Sequence, residues 1–89
     1  MELIELRKIL DDLDQVLVVT LSRRMSYIPL VAEYKKQHNI KRYQPEREQE
    51  IIEKRREQAV REGLNPDLAE QVMKDIIEYA HKIEQKYLD

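Results

Sequence analysis

The chain contains no cysteine, no tryptophan and no phenylalanine, and it has one glycine and three prolines in 89 residues. Without cysteine there is no disulfide framework, no thiolate ligand for a metal and no thiol nucleophile. Any core must be built from Leu, Ile, Val, Ala, Met and Tyr. The scarcity of Gly and Pro leaves few places to turn, and a 38% share of charged residues suits the solvated faces of helices. The expected fold is all-α. A formal charge of −2 lacks the basic excess that general nucleic-acid binding requires. No apolar run approaches the length of a membrane span, and the opening MELIELRK is charged from its second residue, unlike a signal peptide. These features lead to the expectation of a single cytoplasmic domain, residues 1–89, with neither nucleic acid nor membrane as a partner. A chain this short buries only a modest core by itself, so help from a second chain is expected.

Three helices are legible. Apolar residues recur at helical spacing from Leu3 to about Gln37, through Leu6, Leu10, Leu13, Leu17, Leu21, Ile28 and Val31. That first helix spans about 50 Å at 1.5 Å per residue. Within it Pro29 removes one hydrogen bond and crowds the carbonyl of Met25, so a kink or local opening is expected there. Such a bend serves either to curve the helix around its neighbour or to set the angle between Arg24 and Lys35. The segment HNIKRYQP breaks the pattern, and Pro45 opens a second helix whose Glu46 and Glu48 complement its dipole. Gly63 stops that helix near Glu62, and Asn65-Pro66-Asp67 caps and starts a third, running to near Tyr87. Helices two and three together only match the first in length, so one chain leaves a long rod uncovered. An antiparallel homodimer along the first helix follows.

Charges interrupt the apolar seam of that rod. Read in alternating steps of four and three, it runs Leu3, Arg7, Leu10, Asp14, Leu17, Leu21, Arg24, Ile28, Val31, Lys35. A buried charge must be paired, solvated or turned toward a ligand. Taken singly, each has an ordinary explanation: Arg7 and Asp14 pair on the helix surface, and the long Arg24 and Lys35 side chains reach out to water. Taken together they converge. An antiparallel pairing centred near residue 20 sets Arg7 of one chain opposite Glu33 of the other, between Arg24 and Lys35, and Arg47 in the first turn of the second helix adds a fourth cation. Planar guanidinium forks in such a group suit carboxylates or phosphates. On the third helix Glu84 is an acid on the otherwise apolar line Met73, Ile77, Ala80, Tyr87, either as the partner of a nearby cation or as a functional group. His38 and His81 are too isolated for a metal site and are expected at the surface. The IKRY cluster at residues 40–43 is expected to form a solvated loop over the site.

The segments LRKILDDLDQVLVVTLSRRM, then Lys35, PERE and IIEYAHKIEQ resemble the all-helical chorismate mutases, from Leu6 to about Gln85. The resemblance implies three helices per chain in an intertwined antiparallel dimer with two sites that convert chorismate to prephenate, a step toward phenylalanine and tyrosine. It also implies that neither cofactor nor metal is needed. By position, Arg7 would reach across the dimer to a substrate carboxylate and Arg24 would hold a carboxylate from within the chain. Lys35 would bind a carboxylate and the ether oxygen, Arg47 would support the charge balance, and Glu48 would accept the substrate hydroxyl. Glu84 would face the ether oxygen opposite Lys35. Three positions depart from the family pattern: Gln44 replaces a frequent Asp, Ala80 a frequent Ser, and Glu84 a frequent Gln. Two other readings stay open, an isochorismate-pyruvate lyase on the same scaffold and a non-catalytic helical dimerisation module with an anion pocket.

Overall fold

The computed structural model describes residues 1–88. Its elements are α1 (Leu3–Ser26), α2 (Ile28–Gln37), α3 (Pro45–Glu62) and α4 (Pro66–Glu84). The first expected rod is thus present as two segments. Tyr27 separates them and keeps a right-handed helical backbone (φ −86°, ψ −14°), and its carbonyl accepts the Val31 N–H at 3.1 Å. The missing N–H of Pro29 breaks the ladder without reversing the chain. The rod kinks rather than ends. At the other terminus α4 stops at Glu84 rather than near Tyr87, and residues 85–87 form a turn in which Tyr87 N–H bonds the Glu84 carbonyl at 2.9 Å.

Two helix ends close by the same device. At the end of α3, Gly63 takes φ +74°, its N–H bonds the Val60 carbonyl at 3.2 Å, and the Leu64 N–H reaches the Ala59 carbonyl at 2.8 Å. At the end of α2, Asn39 takes φ +55° and the Ile40 N–H reaches the Lys35 carbonyl at 2.8 Å. Both are Schellman closures, made by the two residue types best suited to the left-handed region. Asn65 then caps α4, its side chain accepting from the Asp67 N–H at 2.9 Å. Asn65→Ala is expected to lower the unfolding free energy by about 1 kcal/mol, read from the midpoint of urea unfolding at unchanged slope. Gln44, at the equivalent position before α3, makes no capping bond and instead donates to the Lys41 carbonyl at 3.1 Å.

The helix α4 packs on both α3 and α2. Arg56 on α3 bonds Asp67 and Glu70 on α4, each at 3.0 Å, across the far end of that hairpin. Among the described residues the buried apolar positions are Ala32, Ile52 and Ala59. That is a small core, and α1 adds nothing to it. Every residue of α1 remains at least partly exposed, and Leu10, Leu13 and Leu17 are 58%, 55% and 62% exposed. The radius of gyration is 16.2 Å, against about 12 Å for a compact domain of this length, and the longest extent is 55 Å. A long apolar rod stands clear of its own chain. Among the described residues no helix is long and apolar enough to cross a membrane.

Candidate active site

A cavity of about 160 Å³ lies where the C-terminal end of α1, α2, the loop before α3, the first turn of α3 and the last turns of α4 meet. Its apolar walls come from Ile28, Val31, Ile51, Ile77 and Ala80. Arg24, Lys35, Arg42 and Arg47 bring positive charge to it, and Glu48 and Glu84 bring negative charge. Gln44 and His81 complete the polar lining. Helical spacing explains the alignment: α1 and α2 place Arg24, Ile28, Val31 and Lys35 along one side, while α4 places Ile77, Ala80, His81 and Glu84 along the facing side.

Lys35 and Glu84 form the centre of the polar network. The Lys35 Nζ donates to Glu84 Oε1 at 3.0 Å and to the Arg42 carbonyl at 2.8 Å. Glu84 is 5% exposed, so its carboxylate depends on this partner. Lys35 does not run out to water. The sequence left Glu84 open between pairing and function, and in this structure it is paired.

His81 is not a surface residue, contrary to the sequence expectation. Its imidazole links two other groups: Nε2 lies 2.7 Å from Glu48 Oε2, and Nδ1 lies 3.0 Å from Arg42 Nη1 and 3.7 Å from Glu84 Oε2. A guanidinium only donates, so Nδ1 accepts, and the proton sits on Nε2, donated to Glu48. The isolation of His81 in sequence concealed this, because its partners lie 33 and 39 positions away. Arg42 is likewise half-buried, although its loop does overhang the site as expected. His38 is exposed, stacked on Tyr34.

Two guanidinium nitrogens in the cavity are buried without a hydrogen-bond partner, Arg24 Nη1 and Arg42 Nε. Burial pushes Arg24 below the usual arginine range, and the charge of Arg47 adds to the effect. Arg47 turns outward, its Nη1 bonding Glu50 at 2.7 Å on its own helix. Arg7 is outside the cavity. It is exposed on α1, about 25 Å from Arg24 along the helix axis, and within one chain it cannot reach the site. No ion pair among the described residues involves Arg7 or Asp14, so the expected surface pairing of those two is absent.

A family model described as chorismate mutase type II matches residues 6–85. The chain belongs to that family. The family is one of isomerases, in line with the resemblance drawn from the sequence. Similar proteins include the T-protein of Haemophilus influenzae, 31% identical over 83 residues, and the T-protein of Enterobacter agglomerans, 32% identical over 83 residues. Each alignment covers 93% of this chain and 22% of the relative, so the chain spans about a fifth of the length of these proteins. No solved structure matches significantly.

Of the positions that the family resemblance singled out, Arg24, Lys35, Gln44, Arg47, Glu48, Ala80 and Glu84 all line the one cavity. Ala80 contributes a methyl group where a hydroxyl is frequent, and Gln44 spends its amide on the Lys41 and Tyr43 carbonyls. Sequence reasoning missed Arg42 and His81 as residues that line this cavity. The available signal was positional: His81 lies three residues before Glu84, one helical turn away.

Proposed function

We propose that this chain rearranges chorismate to prephenate, in the synthesis of phenylalanine and tyrosine, within an antiparallel homodimer. The observation that carries the reading is Arg24, a cation whose burial is uncompensated and whose Nη1 has no partner, in a cavity where Arg24, Lys35 and Arg42 outnumber the carboxylates of Glu48 and Glu84. Such a site is stabilised by an anion with two carboxylates. The reaction breaks one ether C–O bond as one C–C bond forms, in a single cyclic shift of electron pairs with no proton transfer. Arg24 would grip a carboxylate and Glu48 would accept the substrate hydroxyl. Lys35 would turn from Glu84 to the ether oxygen as negative charge develops there. Glu84, on the far side of that oxygen, supports the same charge only as a neutral carboxyl that donates.

The dimer is supported by the uncovered apolar length of α1 and by the position of Arg7, which needs a second chain to meet any site. The test follows chorismate loss and prephenate formation by the purified chain, with isochorismate in parallel. Prephenate is the expected product. Pyruvate release from isochorismate alone would transfer the site to lyase chemistry, and tight binding of an oxabicyclic dicarboxylate mimic without turnover of either substrate would leave a binding module. Because Arg7 and Arg24 would serve one site from different chains, mixing inactive Arg7→Ala with inactive Arg24→Ala should restore up to about a quarter of wild-type activity after full exchange. Half of the randomly paired dimers are mixed, and each mixed dimer keeps one of its two sites intact. No recovery after verified exchange would refute the shared site.

A further inference from the structure

Arg42 and His81 both line the cavity and have no part in the chemistry above. Arg42 is fixed to the site by its backbone, since its carbonyl accepts from Lys35 Nζ at 2.8 Å, and its side chain turns inward from there. Its Nη1 bonds the neutral face of His81 at 3.0 Å, and its Nε is buried with no partner. Two carboxylates lie close by, Glu48 and Glu84, yet no ion pair among the described residues includes Arg42. His81 stands in the way. With its Nε2–H on Glu48 Oε2 at 2.7 Å, the ring occupies the acid that Arg42 would otherwise join, and it offers the guanidinium an uncharged acceptor instead.

We infer that Arg42 is a further anion-binding residue of this cavity, gripping a carboxylate of the substrate, and that His81 is the positioning residue that keeps its charge unspent. The inference rests on the dicarboxylate reading of the site. Charge supports it independently: with Arg47 paired outward to Glu50, Arg24, Lys35 and Arg42 face Glu48 and Glu84, which leaves one positive charge from one chain, and Arg7 of a second chain would raise it to the two that match a dianion. A neutral spacer between a guanidinium and a carboxylate preserves the charge of both for a ligand, whereas a direct ion pair would cancel them.

The experiment compares KM and kcat for chorismate in the wild type, Arg42→Gln, His81→Leu, His81→Asn and the double variant Arg42→Gln/His81→Leu. Arg42→Gln is expected to raise KM by about tenfold or more, the scale of a lost hydrogen bond to a charged group, with a smaller change in kcat. His81→Leu should also raise KM, as Arg42 closes on Glu48. His81→Asn, whose amide reaches the place of Nδ1, should recover most of that loss. The double variant should fall short of the product of the single effects, because His81 acts largely through Arg42. A KM for Arg42→Gln within twofold of the wild type, or effects that multiply fully, would overturn the inference. If the wild type turns over no chorismate, it is the functional reading that fails, and the same variants are then titrated calorimetrically with the oxabicyclic dicarboxylate. Weakened binding in Arg42→Gln sustains the anion grip, and unchanged binding removes it.

Discussion

Lys35→Ala is expected to lower kcat for chorismate by about two orders of magnitude or more, the scale on which one preorganised donor to a developing oxyanion is felt. The same change should also destabilise the protein. Lys35 Nζ is the 3.0 Å partner of Glu84, with side-chain exposures of 15% and 6%, and removing one member of such a pair strands the other charge at a cost of about 3 kcal/mol. The two losses separate in the double variant Lys35→Ala/Glu84→Gln, where the stranded carboxylate becomes a neutral amide. Its unfolding midpoint should return most of the way to the wild-type value while kcat stays low. Urea unfolding and steady-state kinetics on the three proteins make the measurement. If kcat recovers together with stability, Lys35 is a structural residue and its assignment to the ether oxygen is wrong.

Local chemistry was legible wherever a residue acts on its own neighbours in the chain. Pro45, Gly63 and Asn65 set helix boundaries through φ, a positive φ and a cap, none of which needs distant partners. The charged seam was legible too, because helical spacing alone puts Arg24 and Lys35 on one line. The sequence could not assign Arg42 and His81, for the opposite reason. Arg42 lies in a loop, where no period fixes direction, and the role of His81 depends on α3 bringing Glu48 to one ring nitrogen while the loop brings Arg42 to the other. The reach of Pro29 was similarly hidden: a proline in a helix predicts a lost hydrogen bond, but whether the rod ends or bends depends on Tyr27 keeping a helical backbone. Arg7 marks a further limit. Within one chain it is an exposed arginine on α1, and its role in a site belongs to the proposed dimer.

Arg24→Met should move activity and stability in opposite directions. The guanidinium sits in the cavity with Nη1 unbonded, held below the usual arginine range first by burial and then by the charge of Arg47. A base that binds its proton more weakly in the folded chain than in the unfolded one subtracts from stability wherever it is charged in both states. That condition holds throughout the neutral range and disappears only far into alkali, above the ordinary arginine range. Replacing it with an uncharged side chain of similar reach removes both the desolvation and the repulsion from Arg47, so the ligand-free unfolding midpoint should rise. Catalysis should suffer in the same protein, with kcat/KM falling by about a hundredfold or more, as two charge-assisted bonds to a carboxylate are lost together. Arg24→Lys keeps the charge but not the fork, and it should regain only part of the activity while keeping the charge's cost to stability. Thermal melts with and without the oxabicyclic dicarboxylate give the decisive contrast. The wild type should be strongly stabilised by that ligand, and Arg24→Met should begin from a higher midpoint and gain much less. A lower starting midpoint with an undiminished gain would mean that Arg24 supports the fold rather than the ligand, and the anion site would have to be rebuilt around Lys35 and Arg42.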